Sequence, residues 1–115
     1  MKKIFLVGIF LTLNAYADCN HLKVTTEIKS CLVSQNEMLN DRLTNTYHLA
    51  LSTLPKADRK NLINAQRAWV RFKEADCYAA IAADAGGTAA SIIGLNCTNN
   101  KISAREKEIK ELYIR

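Results

Sequence analysis

A single proline, Pro55, divides this chain into two long stretches with helical hydrophobic periodicity. Before it, apolar side chains recur at steps of three and four residues from residue 26 to about residue 53, which predicts an amphipathic helix. A second stripe of this kind predicts a helix over residues 55–83. Proline disfavours helical geometry at the preceding residue and suits the first turn of the next helix. We therefore expect a sharp turn at Leu54–Pro55 and two helices that lie side by side as antiparallel neighbours.

The C-terminal third predicts a loop and a further helix. Residues 79–93 are rich in alanine and are interrupted by Gly86 and Gly87, which favours a loop that a short helix through residues 92–93 could follow. Ser103 and Glu106 fit an S-x-x-E capping box, so the last helix should begin at or before Ser103. No segment alternates in the manner of a strand.

Residues 1–17 are typical of a secretory signal peptide. A cationic start precedes an apolar run of ten residues and the small residues of Ala15-Tyr16-Ala17. The run is too short for a bilayer span, which needs about 20 residues. We expect cleavage before Asp18 and one mature domain, residues 18–115, in the periplasm or secreted. A lipid anchor on Cys19 is disfavoured because Asp18 stands where such a site needs a small residue.

Four cysteines lie in the mature part, and an even count in a small exported chain implies two disulfides. Their spacing lacks the close pairs of a structural zinc site, and we expect no metal and no cofactor. In a closed hairpin, Cys31 and Cys77 would lie at similar heights, which favours Cys31–Cys77 with Cys19–Cys97. The sequential pairing, Cys19–Cys31 with Cys77–Cys97, remains open. The predicted fold class is all-α: a long antiparallel helical hairpin plus a C-terminal helix, stapled by two disulfides.

No recognisable catalytic set is present, which predicts a protein without enzyme activity. Neither histidine has a neighbouring serine or cysteine in a nucleophile motif. Glu74, Asp76 and Asp84 form a loose acidic cluster, but cationic residues adjoin it. We interpret the cluster as a solvated face with ion pairs rather than as the carboxylates of a glycosidase.

Charge excludes some partners. The formal net charge is +5, of which Lys2 and Lys3 in the signal peptide supply two, and the charges are interspersed rather than in runs. This pattern and the expected compartment argue against nucleic acid as a partner. Asp84 and the two neighbouring glycines argue against stable membrane insertion of the alanine-rich segment.

Trp69 and Gln66 share the apolar stripe of the second predicted helix. Tryptophan anchors small cores as well as binding hot spots, and its place on the stripe favours the core. A buried glutamine must find a hydrogen-bond partner, so Gln66 should contact another part of the fold.

Several motifs occur in a characteristic order. They are Thr26-Glu27 before Cys31, Leu43 with Tyr47, Gln66-Arg67-Ala68-Trp69, Phe72-Lys73-Glu74-Ala75-Asp76-Cys77, Gly86-Gly87-Thr88, Cys97 and Arg105-x-x-Glu108-Ile109. In this order they resemble the lysozyme inhibitor LprI-like N-terminal domain family, a small exported bacterial four-cysteine domain. Thr44 and the pair Lys73-Glu74 depart from the residues common in that family. The resemblance implies a helical scaffold that includes Tyr47, Gln66, Trp69 and Arg105 and, for the named members, inhibition of lysozyme.

The leading hypothesis is an exported binding domain whose partner is a lysozyme or another envelope protein. Its candidate surface is the loop at residues 86–94, with Gly86 and Gly87, beside Glu74, Asp76 and Asp84. The alternative is an envelope module for a small molecule or a protein, or a secreted effector, without lysozyme activity. A small-molecule binder should carry an apolar pocket lined by Trp69, Phe72 and Tyr78.

We expect the protein isolated from the periplasm or medium of a bacterial host to begin at Asp18. Intact mass spectrometry measures this, and Ala17→Arg should block cleavage because signal peptidase requires a small residue there. Tyr16→Phe is the control, since the middle position of the A-x-A pattern is free to vary. A retained leader, or a lipid on Cys19, in the unmodified sequence would contradict the prediction.

Overall fold

The computed structural model describes residues 19–84, 87 and 89–114. A short 3-10 turn, Cys19–His21, precedes three long helices, which are α1 (Thr25–Thr53), α2 (Lys56–Ala83) and α3 (Ala90–Tyr113). Within the described residues there is no strand, so the all-α class is confirmed. The predicted signal peptide and Gly86 lie outside the described residues.

The turn at Leu54–Pro55 forms where the sequence predicts it. Leu54 is extended, with φ −76° and ψ 145°, because the proline that follows disfavours the helical region. Pro55 is also extended and immediately precedes α2, where its carbonyl accepts a hydrogen bond from the Asp58 N–H at 2.9 Å. The chain therefore leaves α1 and enters α2 within two residues.

Helix α3 is longer than the sequence suggests. It begins at Ala90, so the expected short helix and the C-terminal helix are one continuous element. Ser103 lies inside this helix and is exposed, and the predicted capping box is wrong. The buried residues of α3 recur at helical spacing from Asn99 to Ile109, both before and after Ser103. This spacing favours one continuous helix over a new helix that starts at Ser103. Only residues 84–89 lie between α2 and α3, so the loop expected at residues 86–94 overlaps the start of α3.

Helices α3 and α1 pack in parallel, joined by buried polar contacts. The Asn99 side-chain amide donates to the Leu32 carbonyl at 3.0 Å and accepts from the Asn36 amide at 2.9 Å. Further along both helices, the Thr46 hydroxyl donates to the Glu106 carboxylate at 2.8 Å. The later residue in α1, Thr46, contacts the later residue in α3, Glu106, so the two helices run in the same direction. Between and beyond them lies the core, which consists of Leu43, Ala50, Leu62, Ile102 and Ile109.

Helices α3 and α2 pack antiparallel. Arg105 bonds to Gln66, and Cys97, earlier in α3, bonds to Cys77, later in α2. Helix α3 thus contacts both of the other helices, whereas α1 and α2 diverge from the turn at Pro55 instead of packing along each other. The result is a flat molecule with extents of 47 × 47 × 16 Å.

The disulfides are sequential, and the favoured pairing of Cys31 with Cys77 and Cys19 with Cys97 is wrong. Cys19 bonds to Cys31 and Cys77 to Cys97, with Cα–Cα distances of 5.5 and 5.6 Å. The favoured pairing assumed that α2 lies along α1. Because α3 occupies that place, each cysteine finds its partner nearby in the chain, at separations of 12 and 20 residues.

Tryptic digestion without reduction tests this pairing. No lysine or arginine separates Cys77 from Cys97, so both fall in the peptide 74–101. We expect this peptide to be released alone with an internal disulfide, two hydrogens lighter than its reduced form. The peptide that ends at Lys23 should be linked to peptide 30–42 through Cys19 and Cys31. A species that contains all three peptides would contradict the structure, and reduced protein is the control.

Candidate binding surface on helices α2 and α3

The acidic cluster predicted from the sequence is divided between different environments. The Asp76 carboxylate pairs with the Lys101 ammonium at 2.6 Å, and the same ammonium lies 4.9 Å from the centre of the Phe72 ring. Asp76 is therefore engaged within the fold, in an ion pair that joins α2 to α3. Glu74, two residues earlier, is exposed and has no ion-pair partner among the described residues.

An open groove of about 440 Å³ lies between the C-terminal half of α2 and the N-terminal half of α3. Its walls include Glu74, Tyr78 and Ile81 from α2 and Gly94, Leu95 and Thr98 from α3. A methyl group added at Gly94 would lie 2.8 Å from Cδ1 of Ile81. The absence of a side chain at Gly94 therefore permits the close approach of the two helices at the groove.

The rim of the groove carries the most exposed large hydrophobic side chain described, Tyr78, which is 75% accessible. Tyr78 adjoins Cys77, whose own side chain is buried and bonded to Cys97. An aromatic ring with a polar hydroxyl on a backbone fixed in this way suits protein recognition, because little conformational freedom is lost on binding.

The loop residues lie at the end of the same pair of helices. Asp84 caps α2, its N–H donating to the Ile81 carbonyl at 3.2 Å, and its side chain is exposed. Gly87 has φ +90°, a conformation that L side chains rarely adopt, and it is also exposed. Gly94, expected at the far end of the loop, lies within α3 instead.

The three aromatic residues expected to line an apolar pocket occupy different places. Trp69 is half-buried against the core, and the Lys73 ammonium lies 5.2 Å from the centre of its ring. Phe72 is exposed beside Lys101. Of the three, only Tyr78 lines the groove.

The scaffold residues Gln66 and Arg105 meet between α2 and α3. The Arg105 Nε–H donates to the Gln66 side-chain oxygen at 2.9 Å, and another guanidinium nitrogen pairs with Glu108. Arg105 is only 7% exposed, and its Nη2 has no hydrogen-bond partner among the described residues. Tyr47 packs against the core from α1. The apolar stripe predicts that Gln66 needs a partner, but sequence spacing does not identify Arg105.

Within the described part of the chain, no group of three or more His, Cys, Asp or Glu side chains is arranged to hold a metal ion. The same residues contain no helix that is long and apolar enough to cross a bilayer. The groove carries exposed contact groups, Glu74 and Tyr78 among them, on a cross-linked helical frame.

Comparison with known families agrees with the resemblance seen in the sequence. The family model described as Lysozyme inhibitor LprI matches residues 17–109. Curated proteins and solved structures give no match.

Gln66→Ala should lower the free energy of unfolding by about 1–3 kcal/mol, because the buried Arg105 Nε–H loses its acceptor. Urea unfolding followed by helical circular dichroism measures the change. Asn64→Ala, at an exposed site on the same helix, is the matched control and should stay within about 0.5 kcal/mol of the parent. Equal effects of the two substitutions would show that the Gln66–Arg105 bond contributes little.

Proposed function

Since the chain belongs to the LprI lysozyme inhibitor family, we propose that it acts outside the cytoplasm as a protein that binds and inhibits a lysozyme. The match over residues 17–109 is the observation that carries this proposal. Two disulfides support an oxidising compartment. The absence of a recognisable catalytic set in the sequence is consistent with a binding role.

The groove between α2 and α3 is the surface we assign to the contact. Many lysozymes are basic, and this chain keeps a formal net charge of +3 without Lys2 and Lys3 of the predicted signal peptide, so long-range attraction between the two is disfavoured. Binding then requires a locally acidic or shape-matched surface. Glu74 at the groove and Asp84 at the end of α2 supply carboxylates that have no ion-pair partner among the described residues, whereas Asp76 is neutralised by Lys101.

Tyr78 is the side chain we expect to contribute most to binding. Exposed tyrosines are enriched among the few residues that dominate protein interfaces. The neighbouring Cys77–Cys97 bond fixes the backbone from which the ring projects, which reduces the entropy lost on association. A protruding ring beside carboxylates fits entry into the sugar-binding cleft of a lysozyme, where it would block the substrate.

We expect the oxidised protein to inhibit lysis of bacterial cell walls by at least one type of lysozyme, stoichiometrically. Tyr78→Ala should weaken inhibition by about 30-fold, the effect of losing a hot-spot residue. Leu49→Ala is the matched control, because Leu49 is an exposed apolar residue on α1. Its inhibition constant should equal that of the parent.

The assay should include animal and bacterial lysozymes, since an inhibitor can be specific for one type. Full lysozyme activity at high micromolar concentrations of the oxidised protein, for every type, would overturn the proposal. Inhibition that Tyr78→Ala and Leu49→Ala weaken equally would retain the function but remove the groove as its site.

A further inference from the structure

Four cations form a row along one side of α2. They are Lys56, Lys60, Arg67 and Arg71, hereafter the cationic stripe, and all four are exposed. At 3.6 residues per turn, their positions fall within about 60° of one another around the helix axis. None of them has an ion-pair partner among the described residues.

The stripe points away from the packed side of α2. Three residues mark that packed side. Leu62 belongs to the core, Gln66 accepts a hydrogen bond from Arg105, and Cys77 forms a disulfide with Cys97. From the same helical geometry, the centre of the stripe lies about 120° around the axis from theirs. It therefore faces solvent along most of the helix.

Charge is distributed unevenly between the diverging helices. Helix α2 carries six cations and three anions, whereas α1 carries two cations and three anions. The net positive charge of the chain is thus concentrated on the helix with the least covered surface. Asp58 and Asp76 lie on other sides of α2, so the stripe itself contains only cations between Lys56 and Arg71.

The stripe extends along about 22 Å of helix, and all four of its side chains are exposed. A partner that neutralises all four charges must therefore be anionic along this whole length. The surface of an anionic bilayer meets this requirement at any position, and the lysine and arginine stems allow each charge to reach a phosphate. Each such cation contributes about fivefold to the affinity for an anionic membrane.

We propose that the cationic stripe of α2 docks the protein on anionic phospholipid headgroups, as a peripheral contact without insertion. This surface adjoins the proposed lysozyme contact, since Glu74 and Tyr78 follow Arg71 on the same side of α2, but the proposal does not depend on inhibition. Adsorption through charge alone agrees with the finding that no described helix is long and apolar enough to span a bilayer. It would place the protein at the membrane face of its compartment.

Co-sedimentation with vesicles tests the proposal, using oxidised protein whose N terminus has been verified by mass spectrometry. One set of vesicles contains 30 mol% phosphatidylglycerol in phosphatidylcholine, and the other contains phosphatidylcholine alone. We expect binding to the anionic vesicles only, and weaker binding as salt shortens the screening length. The triple variant Lys60→Gln, Arg67→Gln and Arg71→Gln should bind about 100-fold more weakly.

A second triple variant, Lys23→Gln, Lys29→Gln and Lys107→Gln, removes the same charge from exposed sites outside the stripe. It should bind anionic vesicles within about threefold of the parent, because distant charges are screened. Equal losses in the two triple variants would overturn the proposal, since net charge alone would then explain binding. Equal binding to both kinds of vesicle, or none to either, would also overturn it. Binding to polyglutamate but not to vesicles would assign the stripe to an acidic protein instead.

Discussion

The register of α3 against α1 is the constraint on which the rest of the structure depends. Asn99 and Glu106 are both buried at this contact, and a buried amide or carboxylate is costly unless its hydrogen bonds are made. Asn99 meets Leu32 and Asn36, and Glu106 meets Thr46, while Lys110 lies 3.0 Å from the same carboxylate oxygen. A shift of one turn would leave both groups without these partners. The polar contacts therefore select one alignment from those that apolar packing alone would allow.

This alignment determines which surfaces remain free. Because α3 lies along α1, α2 is covered on one side only, by α3 and by the end of α1. Its outer side carries the cationic stripe, and Glu74 and Tyr78 follow on the same side of the helix, where they line the groove beside α3. Both proposed contact surfaces remain exposed because α3, rather than α2, packs along α1. In a closed hairpin, α1 would have covered part of the same helix.

Local features of the fold follow from the sequence because they depend on neighbouring residues. Pro55 determines the end of α1, and the apolar stripes give the extents of α1 and α2 to within one residue. The sequence does not show which helix packs against each apolar face, because periodicity identifies a face without identifying what covers it. Asn99 and Glu106 are polar and belong to no apolar stripe in the sequence, yet their burial identifies the contacts of α3 with α1. The error in the disulfide pairing has the same origin.

The candidate site was predictable in part for similar reasons. Its position near the end of α2 follows from the clustering of Glu74, Asp76 and Asp84 in the sequence. The engagement of Asp76 depends on Lys101, which lies on another helix, and the prominence of Tyr78 depends on how far α3 covers α2. Both are properties of tertiary packing, and neither has a signature in local spacing.

The sequential order of the disulfides divides the molecule at Pro55. Cys19–Cys31 lies wholly before the turn and Cys77–Cys97 wholly after it, so a single backbone cut at the turn would leave two fragments with no covalent connection. Each fragment would retain its own cross-link, and only the packing of α3 on α1 would hold them together. The same order matters during biogenesis. A chain that leaves the cytoplasm with its N terminus first can close each bond as soon as the second cysteine of that pair emerges, and no correct bond has to wait for a later segment.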